Sequence, residues 1–342
     1  MTTVAEPLDI EQHGPLLAYL RAAGHVAMDE SPTFTTLPGG VSSRTVRVER
    51  PGRPAWVLKQ SLAKLRVAVD WYSDPARIHR EALGMRWLTQ LAPPSSIPSL
   101  VFEDHQQHLL AMQAVPQPHC NWKTALLAGD LDVEHVRQFG HLLGTIHRRG
   151  AQCRSEIASV FDDRSFFESL RIEPYYAYTA SQVPESAQFM GDVIRAVRAR
   201  RFTLVHGDYS PKNVLIHEGR LVLLDHEVIH FGDPAFDLGF SLAHFLSKAH
   251  YVEAQRGEFT SAAETYWRAY RESLGSPEWS RDLEEHAVHN ALACLLARVA
   301  GRSPLEYLSS EQRQRQGEAV LHLMRTTPSF ITDLAWSFST RL

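Results

Sequence analysis

The chain has 342 residues, 44% hydrophobic and 22% charged, the composition of an ordinary globular protein long enough for two cores. A net charge of −4 leaves no basic footprint and argues against a nucleic-acid binder. No apolar run reaches the roughly 18–20 residues of a membrane helix, MTTVAEPLDI is no signal peptide, and Cys120, Cys153 and Cys294 are too far apart for a zinc or C-x-x-C pattern, so the expectation is a reduced, cytoplasmic protein without nucleic-acid or membrane partners.

Residues 8–24, LDIEQHGPLLAYLRAAG, read as a helix stopped by Gly24. TFTTLPGGVSSRTVRVER reads as strand, glycine turn, strand, with Val46 and Val48 alternating against Arg47 and Glu49. PGRP (51–54) is a turn, and AWVLKQ a third strand carrying Lys59. PARIHREALGMRWLTQLA places Ile78, Ala82, Met85 and Leu88 at helical spacing and stops at Pro93-Pro94. SLVFEDHQQHLLAMQAV gives two strands around a polar turn at Asp104–His108. In EHVRQFGHLLGTIHRRG, Val136, Phe139, Leu142, Leu143 and Ile146 share one helical face, with Gly150 as the expected stop. Helical patterns recur at 237–250, 260–273 and 281–300, interrupted only by short strands near 204–224. The fold class is therefore α+β in two parts. Residues 1–115 form a small antiparallel sheet with a leading and an inserted helix, residues 116–342 are mostly helical, and a hinge lies near Gln113–Pro116.

One stretch does not fit a plain strand. LVHGDYSPKNVLI, 204–216, sets His206, Gly207, Asp208 and Asn213 between two apolar flanks, and Asp225 and Glu227 follow the next apolar run in LVLLDHE. Asp208 and Asn213 alone would also suit a turn. With Asp225 they make the set phosphoryl transfer needs: an Asp to accept a hydroxyl proton, then Asn and Asp as oxygen ligands for Mg²⁺. Glu227 assists at the metal or stands just behind it. Lys59 on a strand and Glu81 on the following helix, 22 residues on, match a phosphate-binding Lys and the anion that orients it. PGGVSSR offers Gly40, Ser42 and Ser43 as backbone that could close over phosphates, although a plain hairpin turn fits nearly as well. From His206 to Ala300, 14 Asp and Glu face 8 Lys and Arg, a local −6 that would tolerate a cationic ligand.

HGDYSPKN…LLDHE…GDPAFDLG resembles the catalytic core of the aminoglycoside phosphotransferase and choline kinase superfamily, relatives of the protein kinases. The resemblance implies a protein-kinase-like bilobal fold, Asp208 as catalytic base, Asn213 and Asp225 as magnesium ligands, and Asp237 as the residue that opens the next helix and braces the loop. ATP would lie under the first lobe with its adenine against backbone at Gln113–Val115. VLKQSLAKLRV, AMQAVPQPHCNWKTALLAG and LLARVAG further resemble 5-methylthioribose kinases, whose adjacent arginine pair near Ala297-Arg298 is reduced here to Arg298, the candidate substrate contact. The expected activity is ATP- and Mg²⁺-dependent phosphorylation of a small-molecule hydroxyl, on a neutral sugar-like compound first and an aminoglycoside second. A nucleotide-binding pseudokinase is the rival of another class. The intact set Lys59, Asp208, Asn213 and Asp225 speaks against it. Oligomeric state is left open, a dimer included.

Overall fold

The computed structural model describes residues 8–38, 40–67 and 70–342, so most of the leader stretch and Gly39 of PGGVSSR lie outside it. The chain divides into two compact units. One comprises residues 1–87 and 98–117, the other 88–97 and 118–342.

The first unit is a five-stranded antiparallel sheet in the order β1-β2-β3-β5-β4, with β1 (Thr33–Thr36), β2 (Ser43–Arg50), β3 (Arg53–Ser61), β4 (Leu100–Asp104) and β5 (Leu109–Gln113). Strand alternation gives it two apolar faces. Val46, Val48, Trp56, Leu58, Leu109 and Ala111 pack with Leu16 and Leu20 of α1 (His13–Ala22). Leu110 and Met112 pack with Ile78, Ala82 and Met85 of α2 (Arg77–Leu91), and Val57 joins them. The leading helix is shorter than the sequence suggested. Asp9–Gln12 form a turn first, and Gly24, at φ +73°, follows the end of α1 in the left-handed region open to glycine. Arg50 and Arg53 pair across the two-residue turn Pro51-Gly52, where Gly52 takes φ +70°.

The second unit is mostly helical. In chain order it holds β6 (His119–Asn121), α3 (Trp122–Leu127), α4 (Val133–Gln152), α5 (Arg154–Phe161), α6 (Ser165–Phe167), a π-helical stretch Glu168–Ala177, α7 (Tyr178–Gln182) and α8 (Ala187–Ala199). Then come β7 (Thr203–Val205), β8 (Val214–His217), β9 (Arg220–Leu223), β10 (His230–Gly232), α9 (Pro234–Tyr251), α10 (Arg256–Leu274), α11 (Leu283–Ala300), α12 (Ser310–Arg325) and α13 (Ile331–Ser339). The short strands make two small sheets, β6-β8-β9 and β10-β7, and β6 and β10 are too short for any alternation to reveal. Gly150 is not the expected stop. The helix α4 runs on to Gln152, and a Cβ at Gly150 would lie 2.6 Å from Thr203 Oγ1, so the glycine is required for close approach to β7.

Candidate active site

In the first unit, β-strand parity decides the site. Leu58 points to the α1 face, so Lys59 points to the α2 face. There its Nζ lies 2.7 Å from both carboxylate oxygens of Glu81, which is fully buried. The glycine loop is held separately. Arg77, also fully buried, donates to the carbonyls of Ser73, Asp74, Leu62 and Ser42. A Cβ at Gly40 would lie 2.3 Å from the Ser43 carbonyl oxygen, so the loop folds back on itself and only glycine fits. Ser43 is the first residue of β2, its hydroxyl buried without a partner among the described residues. At the other end of the sheet, the Gln113 N–H donates to Ser99 O and the Ala114 N–H to Ala55 O, and Val115 follows as the chain leaves β5.

In the second unit, the loop 206–213 is fixed at both ends and from below. Asp237, in the first turn of α9 and fully buried, accepts the His206 N–H (2.7 Å) and the Gly207 N–H (2.8 Å). His147 Nε2 stands 3.2 Å from the same carboxylate, and its Nδ1 is 2.9 Å from the Tyr270 hydroxyl. Burial alone would raise the Asp237 pKa, but His147, His206 and the loop amide hold it below the usual carboxylate range. The residue that opens α9 is instead Asp233, whose side chain accepts the Ala235 N–H. Gly207 takes φ +78°, and a Cβ there would meet Val228 at 2.9 Å. Underneath, the Tyr209 hydroxyl donates to Phe139 O while Ser241 donates to Tyr209 O. His206 accepts the Asp208 N–H at Nδ1 and lies 3.2 Å from Leu224 O through Nε2. Burial pulls its pKa down, which keeps it neutral in that role.

Two donors converge on one oxygen of Asp208. Asn213 Nδ2 reaches Oδ2 at 2.7 Å and the Asp208 carbonyl at 3.0 Å, and Arg171 Nη2 reaches Oδ2 at 2.9 Å. Arg171 Nε also donates to Gly207 O. Among the described residues no hydrogen bond or ion pair reaches Oδ1. Because the Asn213 nitrogen is committed to Asp208, its amide oxygen is the atom left for a ligand. Asp225 is brought beside Asn213 by the β8–β9 pairing, with Leu224 N–H donating to Asn213 O, and it takes the left-handed φ of +66°, rare outside glycine. Burial pulls the Arg171 pKa down, but Asp208, Tyr175, Glu227 and Asp225 together hold it above its ordinary value, so all three carboxylates lie within its field. An amide oxygen and two carboxylates, free of sulfur, suit a hard divalent cation such as Mg²⁺. Arg298 Nη1 donates to the Tyr175 hydroxyl at 3.1 Å and to Ser303.

The structure thus brings Lys59 to Glu81, and Asp208 to Asn213. Arg171, Arg77 and His147 escaped sequence reasoning. The first lies 37 positions before Asp208 in a stretch whose helical period is widened around Pro174. Arg77 and His147 lie within helical patterns that carry no mark of a buried polar role.

Among solved structures, an amicoumacin kinase in complex with AMP-PNP, Ca²⁺ and amicoumacin superposes with TM-score 0.61 at 14% identity, covering 94% of this chain and 98% of that one. A choline/ethanolamine kinase family protein from Mesorhizobium loti follows at 0.54 and 13%, covering 96% and 99%. These likenesses establish the fold, a protein-kinase-like one. Among curated proteins, methylthioribose kinase of Citrobacter koseri is 24% identical over 217 residues, 56% of this chain and 53% of that protein. A mouse acyl-CoA dehydrogenase family member 10 is 28% identical over 181 residues, 49% of this chain and 16% of that protein. The chain thus spans about half the length of the methylthioribose kinase, and far less of the mouse protein. No described helix is long and apolar enough to cross a membrane. The match that decides is to the family as a whole, and it runs from residue 33 to residue 282: the chain belongs to the phosphotransferase enzyme family.

Proposed function

We propose that the protein is an ATP- and Mg²⁺-dependent kinase that phosphorylates a hydroxyl of a small, sugar-like molecule. The observation that carries this reading is Asp208. One of its carboxylate oxygens is held by Arg171 and Asn213, and the other is left to take a proton from an alcohol. Lys59, oriented by Glu81, would hold ATP phosphates, with backbone at Gly40, Ser42 and Ser43 closing over them and Gln113 and Val115 meeting the adenine. Asn213 and Asp225, with Glu227, would hold the metal, which when bound neutralises charge on the transferred phosphoryl group. Asp208 orients the acceptor hydroxyl and accepts its proton. Positioning and charge neutralisation supply most of the catalysis. The complex of the amicoumacin kinase with AMP-PNP and Ca²⁺ supports nucleotide and divalent-metal use, and the methylthioribose kinase similarity supports the sugar-like acceptor.

The test is ATP consumption over a panel of sugars, sugar acids, aminoglycosides and choline-like alcohols. Turnover is expected with Mg²⁺ and none in excess chelator. Full activity in chelator would remove Asn213 and Asp225 from the mechanism. Tight ATP binding with no turnover of any alcohol would favour a pseudokinase.

Lys59→Ala is expected to raise the KM for ATP and lower kcat, by about 10²-fold or more in kcat/KM. Glu81→Ala should give a milder form of the same defect, since it disorders the lysine without removing it. Unchanged nucleotide kinetics in Lys59→Ala would take the first unit out of the mechanism.

A further inference from the structure

Helix α9 is buried on every side from Pro234 to His250, yet it carries His244 and Lys248. The Lys248 ammonium is fully buried. It has three donors, and one of them reaches the His244 carbonyl at 3.3 Å. It forms no ion pair among the described residues. Cations outnumber anions around it: Lys123 and Arg298 disfavour its charge, and Glu306, paired with Lys123, favours it. Lys123 and Lys248 flank the ring of Tyr307, with Nζ 5.9 and 5.7 Å from the centroid. Arg298 and Arg171 flank the ring of Tyr175 in the same way, at 5.6 and 5.8 Å. The rings of Tyr175, Phe240 and His244 follow one another at 5.9 and 5.1 Å, and so join the two groups along α9. The set therefore begins at Asp208, which Arg171 holds, and ends at Lys123, whose partner is the exposed Glu306.

Several donors in this set lack acceptors. Arg298 Nε and the Tyr307 hydroxyl are buried without partners among the described residues. The His244 imidazole takes no hydrogen bond among the described residues. Burial pulls its pKa well down, and Lys248, Arg298, Lys123 and Lys212 of the catalytic loop depress it further. Burial likewise brings Lys248 down to about 7, with Lys123 and Arg298 adding to the effect and Glu306 opposing it. An uncompensated buried ammonium is costly; Lys248 and Arg298 can only donate, whereas the Tyr307 hydroxyl and the neutral His244 imidazole can donate or accept. Of the acidity counted over 206–300, Glu253, Glu258, Glu264 and Glu272 are exposed, while Asp208, Asp225 and Glu227 stand at the Arg171 end of the set.

We propose that this cluster seats an anionic group of the acceptor, a carboxylate or a phosphate, on Lys248, Lys123 and Arg298, with the Tyr307 hydroxyl as a further donor. The proposal rests on the kinase reading and narrows its sugar-like acceptor to an acidic one. A polycationic aminoglycoside would meet like charge at Lys248, Lys123 and Arg298.

Two measurements on the full chain test it. The first is thermal melting during titration with sulfate against chloride at constant ionic strength. Wild type is expected to gain several degrees by mass action on the folded state. Lys59→Met, which alters the other candidate anion site, should keep most of that gain. Lys248→Met and, at the less buried end of the cluster, Lys123→Ala should lose it. Lys248→Met should melt higher than wild type in chloride, because an apolar side chain relieves the buried charge. The second measurement compares a matched polyol, its aldonic acid, its phosphate ester and its amino derivative as acceptors. The acid or the ester is expected to exceed the polyol at least tenfold in kcat/KM and to lose that advantage in Lys248→Met, and the better of the two identifies the anion. A sulfate response unchanged in both Lys248→Met and Lys123→Ala would overturn the proposal, as would neutral or cationic acceptors matching the acidic ones. A Lys248-dependent sulfate response without turnover of any alcohol would instead defeat the kinase reading and leave the anion site standing.

Discussion

Asp208→Asn is expected to lower kcat by about 10²–10⁴-fold while ATP binding stays within a few-fold of wild type, because a positioned general base contributes on that order. The substitution keeps the shape of the side chain and an oxygen for Arg171, but removes the proton acceptor. Its structural cost is limited. Arg171 retains its bonds from Nε to Gly207 O and from Nη1 to Leu170 O, and the Asp237 clamp on the loop is untouched. Near-UV circular dichroism and melting should therefore remain close to wild type, which separates a chemical defect from an unfolded loop. Single-turnover phosphoryl transfer checks the rate, and equilibrium titration with a non-hydrolysable ATP analogue checks binding. A variant that keeps more than a few per cent of the wild-type rate would show that Asp208 is not the base. The reading would then fall back on electrostatic positioning alone.

How much of this was legible beforehand depended on the range of the interaction. The sheet and α2 follow from local alternation. Val46, Val48 and Leu58 fall on one face, which leaves Lys59 on the face where Ile78, Ala82 and Met85 place their helix. The strand–loop–strand at 204–216 showed itself as polar residues interrupting apolar ones. What was not legible rests on single contacts between distant positions. Arg171 reaches Asp208 across 37 positions and His147 reaches Asp237 across 90, and no periodicity encodes either. Gly150 looked like a helix stop because the sequence does not reveal that β7 passes within van der Waals distance of it. Lys248 entered only as one of the eight Lys and Arg of 206–300. The available clue was α9 itself, where PAFDLGFSLAHFLSKAHY is apolar around most of its circumference, so a lysine near its end has no solvent face to occupy.

Asp237→Asn is expected to be the most destabilising single change near the site and to lower kcat as well. The carboxylate takes two loop N–H groups and stands beside His147 Nε2 in full burial. An amide offers one oxygen and turns an NH₂ group towards donors. At least one buried donor is then unpaired, the Gly207 N–H if the oxygen stays in the Oδ2 position or the His206 N–H and His147 Nε2 if it does not, at about 3 kcal/mol or more. A fall in Tm on the order of 5–10 °C corresponds to this. The sign of its pH dependence follows from the depressed pKa of Asp237. A carboxyl whose folded pKa lies below its unfolded value near 3.8 stabilises the fold in full above that value, and the contribution is lost as the pH falls through the lower, folded one. The gap in stability between wild type and variant should therefore be constant from neutral pH down to about 4 and close below it. Because the same carboxylate fixes His206 and Gly207, kcat should drop about 10²-fold through a loosened Asp208, with the KM for ATP nearly unchanged. Denaturant melts from pH 3 to 8, paired with steady-state kinetics at pH 7.5, check both halves. A variant as stable as wild type at neutral pH, or a gap that widens on acidification, would mean that the loop is held by Tyr209 and Ser241 rather than by Asp237.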